Sequence, residues 1–231
     1  MIDLVDQPHT CVHCNKSFMK EKTLVAHMCE RKRRALQKDE KRVQAGFMAF
    51  NRFWKLTQNA MVAKTYDNFA DSGYYNAFVK FGSFINNINP LYPDKFIDYV
   101  IKSGVKLDHW CRDELYEKYL YGMIKLEPVE AAVQRSIQTM MEWGDEKNAS
   151  FEHYFLYVSL NRAVNDIRNG KISPWVILNS ASGQKMISNM TDEQLELIAP
   201  AFDVPFWFKK FKDTPADVAL VKEICQGVGI E

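Results

Sequence analysis

Between Cys11 and Arg34 the chain reads CVHCNKSFMKEKTLVAHMCERKRR, and no other stretch restricts its fold so tightly. Cys11 and Cys14 form a C-x-x-C knuckle, Phe18, Leu24 and His27 follow at wider intervals, and Cys29 lies two residues past the histidine. Phe18 and Leu24 alone cannot hold a fold of this size, so something other than apolar burial must close it. Three of the five cysteines fall in this stretch, while Cys111 and Cys225 stand alone. That is metal-site usage in a reducing compartment, not a disulfide framework.

The run from Cys11 to His27 resembles a single finger of the two-cysteine, two-histidine zinc-finger family, with Cys11, Cys14, Phe18, Leu24 and His27 in register. The resemblance is confined to this module. It implies a ββα fold, Zn2+ held by Cys11, Cys14 and His27, and a recognition helix starting near Glu21. The chain departs from the family at the second histidine, where Arg31 stands, and the nearest soft donor is Cys29. On an ideal helix, residues two apart point about 200° away from each other. Cys29 is therefore the fourth ligand only if the helix breaks at Met28; His9, His13 and water are the competing donors.

Composition sets the remaining limits. The 231 residues, 47% hydrophobic and 13% aromatic, are ample for a buried core in one or two domains. Net charge is +1 overall, but residues 1–55 hold 12 Lys or Arg against 6 Asp or Glu, a net of +6, leaving −5 for the rest. A basic head on a mildly acidic body assigns any polyanion to the N-terminal part. MIDLVDQPHT is acidic and has no signal-peptide core, and no stretch has the length and apolarity of a membrane span. The expectation is a cytoplasmic protein that is not secreted and has no membrane contact.

Along the chain the expected divisions are a zinc finger over 1–30, a basic linking helix over 31–56 and an all-α domain over 57–231. Residues 1–10 read as a short lead-in. One continuous helix is expected from Glu30 to Lys55, because Val43, Phe47, Phe50 and Trp54 are helically spaced and no proline intervenes. Beyond it, helix signals succeed one another. Pro93 opens a helix that Gly104 stops, Asp108 caps the next and Pro128 opens a third. Ser150 caps a fourth running through Tyr154, Val158 and Ile167 to Asn169-Gly170, Ser173-Pro174 and a Thr191/Gln194 capping box start others, and Thr214-Pro215 opens a last one that Gly227 ends.

If the finger follows its family, Lys20, Thr23 and Ala26 face the bases, with Lys22 close by. None of these is an Arg or Asn able to make a bidentate base contact, and one finger spans only about 3 bp. Arg31, Lys32, Arg33 and Arg34, continued by Lys38, Lys41 and Arg42, are better suited to phosphates. The expectation is a nucleic-acid-binding accessory protein, DNA favoured over RNA, with weak sequence preference, acting in replication, transcription or packaging. The helical body would engage a protein partner. The alternative is a zinc-stapled protein–protein adaptor with no direct nucleic-acid contact.

Asp108 to Glu114 gathers His109, Cys111 and acids, read as a helix start with Trp110 packed inward. Two aromatic–basic clusters, Phe50 to Lys55 and Phe206 to Phe211, read as core with snorkelling lysines. No phosphate-binding glycine loop, nucleophile elbow or H-E-x-x-H helix is present, so nothing argues for an enzyme. The finger, the junction His27 to Arg34 and the helical body together also resemble zinc-finger proteins of large tailed bacteriophages. That implies a phage-encoded protein working in the host cytoplasm and adds no catalytic residue.

Overall fold

The computed structural model describes residues 8–59 and 61–230. Most of the lead-in expected over residues 1–10 lies outside them. The chain divides into two compact units, the first closing at Leu115 and the second opening at Tyr116. Fifteen α-helices and one two-stranded sheet occur among the described residues, the mainly α fold that the caps and periodicities require.

The first unit begins with β1 (His9–Thr10) and β2 (Ser17–Phe18), antiparallel, with His9 opposite Phe18 and Thr10 opposite Ser17. Asn15 turns the chain between them at φ 58°, a left-handed conformation its short polar side chain tolerates. Next come α1 (Glu21–Ala26), α2 (Glu30–Leu36) and α3 (Lys41–Gln58). The single helix expected from Glu30 to Lys55 is thus two helices. Nothing in Gln37–Glu40 is a strong helix breaker. The first half docks on α4 (Tyr66–Ala70), the second on α4 and α5 (Tyr75–Ile88), and the Gln44 amide donates to the Lys38 carbonyl at 2.6 Å.

Helices α3 and α5 cross backbone to backbone. A Cβ on Gly46 would sit 2.6 Å from the Phe78 carbonyl oxygen, and one on Gly82 would overlap the Arg42 carbonyl and lie 2.6 Å from the Gly46 nitrogen. Phe50, Phe69, Phe78, Phe81 and Trp110 fill the space beside this crossing, all buried; Phe78 meets Trp110 edge-on at 5.7 Å. Helix α6 (Pro93–Lys102) has Pro93 in its first turn, and Gly104 follows its end at φ 69°, as the sequence reads. Asp108 does not cap α7 (Asp113–Leu126); it lies in a 3-10 turn, Leu107–His109, that carries Trp110 inward to donate its indole N–H to the Val105 carbonyl at 2.9 Å.

The second unit is built on α8 (Val129–Lys147), preceded by Pro128, which buries Ala132, Val133, Ser136, Met140 and Trp143 along one face. The long helix expected from Ser150 to Asn169-Gly170 is interrupted. After a 3-10 turn, α9 (Tyr154–Tyr157) ends where Val158 becomes extended, and the Ser159 hydroxyl caps a new helix, α10 (Leu160–Arg168), by accepting the Arg162 amide. Four short helices follow: α11 (Pro174–Leu178), capped by Ser173, α12 (Ala181–Ser188), α13 (Asp192–Ile198), with the Thr191/Gln194 box in place, and α14 (Val204–Asp213). The last, α15, spans Pro215–Gly227, as its proline and glycine require. Inside, Glu127 pairs with Arg135, and buried Asp166 accepts from the Tyr154 hydroxyl and the Arg162 guanidinium, both at 2.8 Å. Among the described residues no helix is long and apolar enough to cross a membrane.

Candidate metal centre

The finger contains almost no core. None of the residues of α1 is buried, β1 and β2 are two residues each, and Phe18 and Leu24 are only half covered. A six-residue helix and a two-rung ladder do not persist in water without further restraint.

The restraint is at the other end of these elements, where the four donors converge. The ligand atoms of Cys11, Cys14, His27 and Cys29 all lie within 4.8 Å of one another, a set that could hold a metal ion. Cys11 Sγ is 4.0 Å from Cys29 Sγ, and Cys14 Sγ is 3.2 Å from His27 Nε2. Metal–ligand lengths of about 2.3 Å to sulfur and 2.0–2.1 Å to nitrogen give tetrahedron edges of about 3.8 Å and 3.6 Å respectively. The observed spacings bracket those edges. Neither His9 nor His13 belongs to the cluster.

Local structure explains how a His-x-Cys pair serves one centre. Helix α1 stops at Ala26, and His27 (ψ 123°) and Cys29 (ψ 164°) are both extended, so the chain swings round between them. This is the break at Met28 that Cys29 needs to join the set. The knuckle is closed by two backbone bonds, Cys11 N–H to the Lys16 carbonyl at 2.9 Å and Asn15 N–H to the Cys11 carbonyl at 2.8 Å. The Phe18 ring packs against His27 at 4.8 Å and orients the imidazole.

The Cys11 and Cys14 thiols shift in opposite directions. A backbone hydrogen bond at His13 leads the effects that pull Cys11 below the ordinary thiol value. At Cys14 the Lys16 backbone hydrogen bond also lowers the pKa, but burial and the sulfurs of Cys29 and Cys11 outweigh it and the net shift is upward. A soft, tetrahedral Cys3His donor set suits Zn2+ chemically.

The cations of the basic run have varied surroundings. Lys20, Lys22, Thr23, Arg31, Arg33, Lys38, Lys41 and Arg42 are exposed. Arg31 pairs with Asp71 at 2.9 Å, Arg33 with Glu30 at 2.7 Å and Arg42 with Glu40 at 2.7 Å. The Lys38 ammonium lies over the Tyr66 ring at 5.5 Å. Lys32 and Arg34 turn inward. The Lys32 ammonium donates to the carbonyls of His27 at 3.1 Å and Val25 at 3.4 Å, covering the end of α1. The Arg34 side chain, 14% exposed, bonds Glu30 and the Ala70 carbonyl and stacks on the Tyr75 ring at 4.3 Å. No sequence signal points to these partners, because Ala70 and Tyr75 are brought to Arg34 by tertiary packing.

Elsewhere the residues singled out from sequence are mostly core. Trp110 is buried, and Asp108 to Glu114 forms no metal-binding group among the described residues. Phe50 and Trp207 are buried, but Phe208 is 73% exposed. No protein-family model, no curated protein and no solved structure matches the chain.

Proposed function

We propose that the chain is a zinc-binding accessory protein whose finger and adjoining basic helices contact nucleic acid, DNA in preference to RNA, with weak sequence preference. The observation that carries the reading is the convergence of Cys11, Cys14, His27 and Cys29 in a module with no other means of staying folded. Zn2+ would fix the module; Lys20, Lys22, Lys38, Lys41 and the outward-facing Arg31, Arg33 and Arg42 would meet phosphates. The short α1, about 9 Å long at 1.5 Å per residue, and its Lys20, Thr23 and Ala26 face offer little base discrimination. The helical body would bind a protein partner in phage-type replication, transcription or packaging in a bacterial cytoplasm.

A second reading has its own support. Val12, Met19, Val25 and Met28 are 57–87% exposed on this small module, more apolar surface than a phosphate contact needs. A zinc-stapled adaptor that recognises a protein would use it.

Salt dependence of binding to duplex DNA separates the two. Counterion release predicts an affinity loss of about a thousandfold between about 50 and 200 mM salt if some six phosphates are neutralised. Lys20, Lys22 and Lys41 have no ion-pair partner among the described residues, so reversing all three to Glu should abolish binding without disturbing the module. Binding that ignores both salt and these reversals would reject the nucleic-acid reading and leave the adaptor.

A further inference from the structure

We infer that the metal centre controls the basic helix: an ion in it holds α2 folded and docked on α4, and loss of the ion releases both. The inference rests on the zinc reading above. Helix α2 has seven residues, none of them buried, and a helix of that length does not survive alone. It is fastened at two places. At its N-terminus Cys29 belongs at once to the donor cluster and to the helix, its sulfur accepting the Lys32 amide at 3.4 Å as the helix cap. Lys32 returns the link by binding the His27 and Val25 carbonyls on the other side of the cluster. Toward its C-terminal end the Tyr66 hydroxyl donates to the Arg34 carbonyl at 2.6 Å and Arg34 bonds the Ala70 carbonyl, while Arg31, in the first turn, pairs with Asp71.

A strap tied at both ends couples the ties. Freeing the metal end returns conformational entropy to residues 27–36 that the α4 contacts alone must then oppose. Coupling is reciprocal, so weakening the α4 end must weaken metal binding, by up to the factor lost in docking. The consequence for function concerns charge. With the ion bound, Lys32 and Arg34 are engaged within the chain; without it they are released to solvent. Metal occupancy therefore selects which cations the protein presents.

The test uses the full chain in two measurements. Hydrogen exchange read by mass spectrometry compares α2 with α5 in zinc-loaded protein and after chelation. Zinc affinity, measured by competition with a chromophoric chelator, compares wild type with Tyr66→Phe, a change in α4 that touches no donor. The expected result is loss of α2 protection on chelation with α5 unchanged. In Tyr66→Phe, zinc affinity should fall about three- to tenfold, the worth of one hydrogen bond, while α5 protection stays at the wild-type level. Protein that binds zinc but keeps α2 protected after chelation, or Tyr66→Phe with wild-type affinity, overturns the coupling alone. Failure to bind zinc at all overturns the metal reading with it.

Discussion

Replacing Gly82 by alanine tests the packing on which the first unit depends. The added methyl would overlap the Arg42 carbonyl and sit 2.6 Å from the Gly46 nitrogen. Both obstacles are backbone, so no side chain can rotate away. Restoring an ordinary contact requires α3 and α5 to part by about 1 Å, a gap that forfeits a quarter to a half of the dispersion attraction between facing atoms. Phe50 and Phe78 flank the crossing, 5.4 Å apart and edge to face, and lose contacts with it. Overpacking of this kind costs about 1–3 kcal/mol where side chains can adjust, and a backbone clash belongs at the upper end or above. We therefore expect at least about 3 kcal/mol of lost stability. Because the two units need not unfold together, the assay is hydrogen exchange by mass spectrometry, with peptides from α3 and α5 compared against peptides from α8. Gly122, in α7, has nothing within 4 Å of its Cβ position and serves as the control. There alanine should gain up to about 1 kcal/mol from helix propensity. If Gly82→Ala exchanges like wild type, the account of the crossing is wrong.

Two further outcomes follow from the ion pairs. Asp98 is held below the usual carboxylate pKa chiefly by its hydrogen bond to the Arg52 guanidinium. Its stabilisation is therefore full above the ordinary value of 3.8 and fades as pH falls through the lowered value. Asp98→Asn should lower stability at neutral pH and flatten the acid limb of an unfolding profile; an unchanged limb would refute the pairing. In the second unit, Glu127 is 4% exposed and faces Arg135, so Glu127→Ala leaves a guanidinium poorly compensated and should cost about 3–5 kcal/mol in urea unfolding. Replacing both residues by apolar ones of similar volume should recover much of that loss, and a double variant as unstable as the single one would contradict the reasoning.

Much of this architecture was legible because its signals are local. Pro93, Ser173-Pro174, the Thr191/Gln194 box and Pro215 with Gly227 each act within one helical turn, and each stands where its chemistry requires. The donors Cys11, Cys14, His27 and Cys29 were legible for the same reason, since one short loop–helix–loop brings them together. The rest was missed where the deciding signal is distant in sequence or masked by a competing one. The break between Leu36 and Lys41 carries no glycine or proline to mark it. The inward turn of Arg34 depends on Tyr75 and Ala70, some forty residues away in sequence. Ser159 was a readable cap that helical periodicity through Tyr154, Val158 and Ile167 concealed. A charge run shows where cations are dense; only tertiary structure shows which of them face outward.

Native mass spectrometry of the full chain, purified under reductant and supplied with Zn2+, addresses the metal centre most directly. One zinc per chain, retained in wild type and lost in Cys14→Ser and Cys29→Ser alike, is the predicted result. A chain that carries no zinc, or a Cys29→Ser variant that holds it as tightly as wild type, would contradict the four-donor centre.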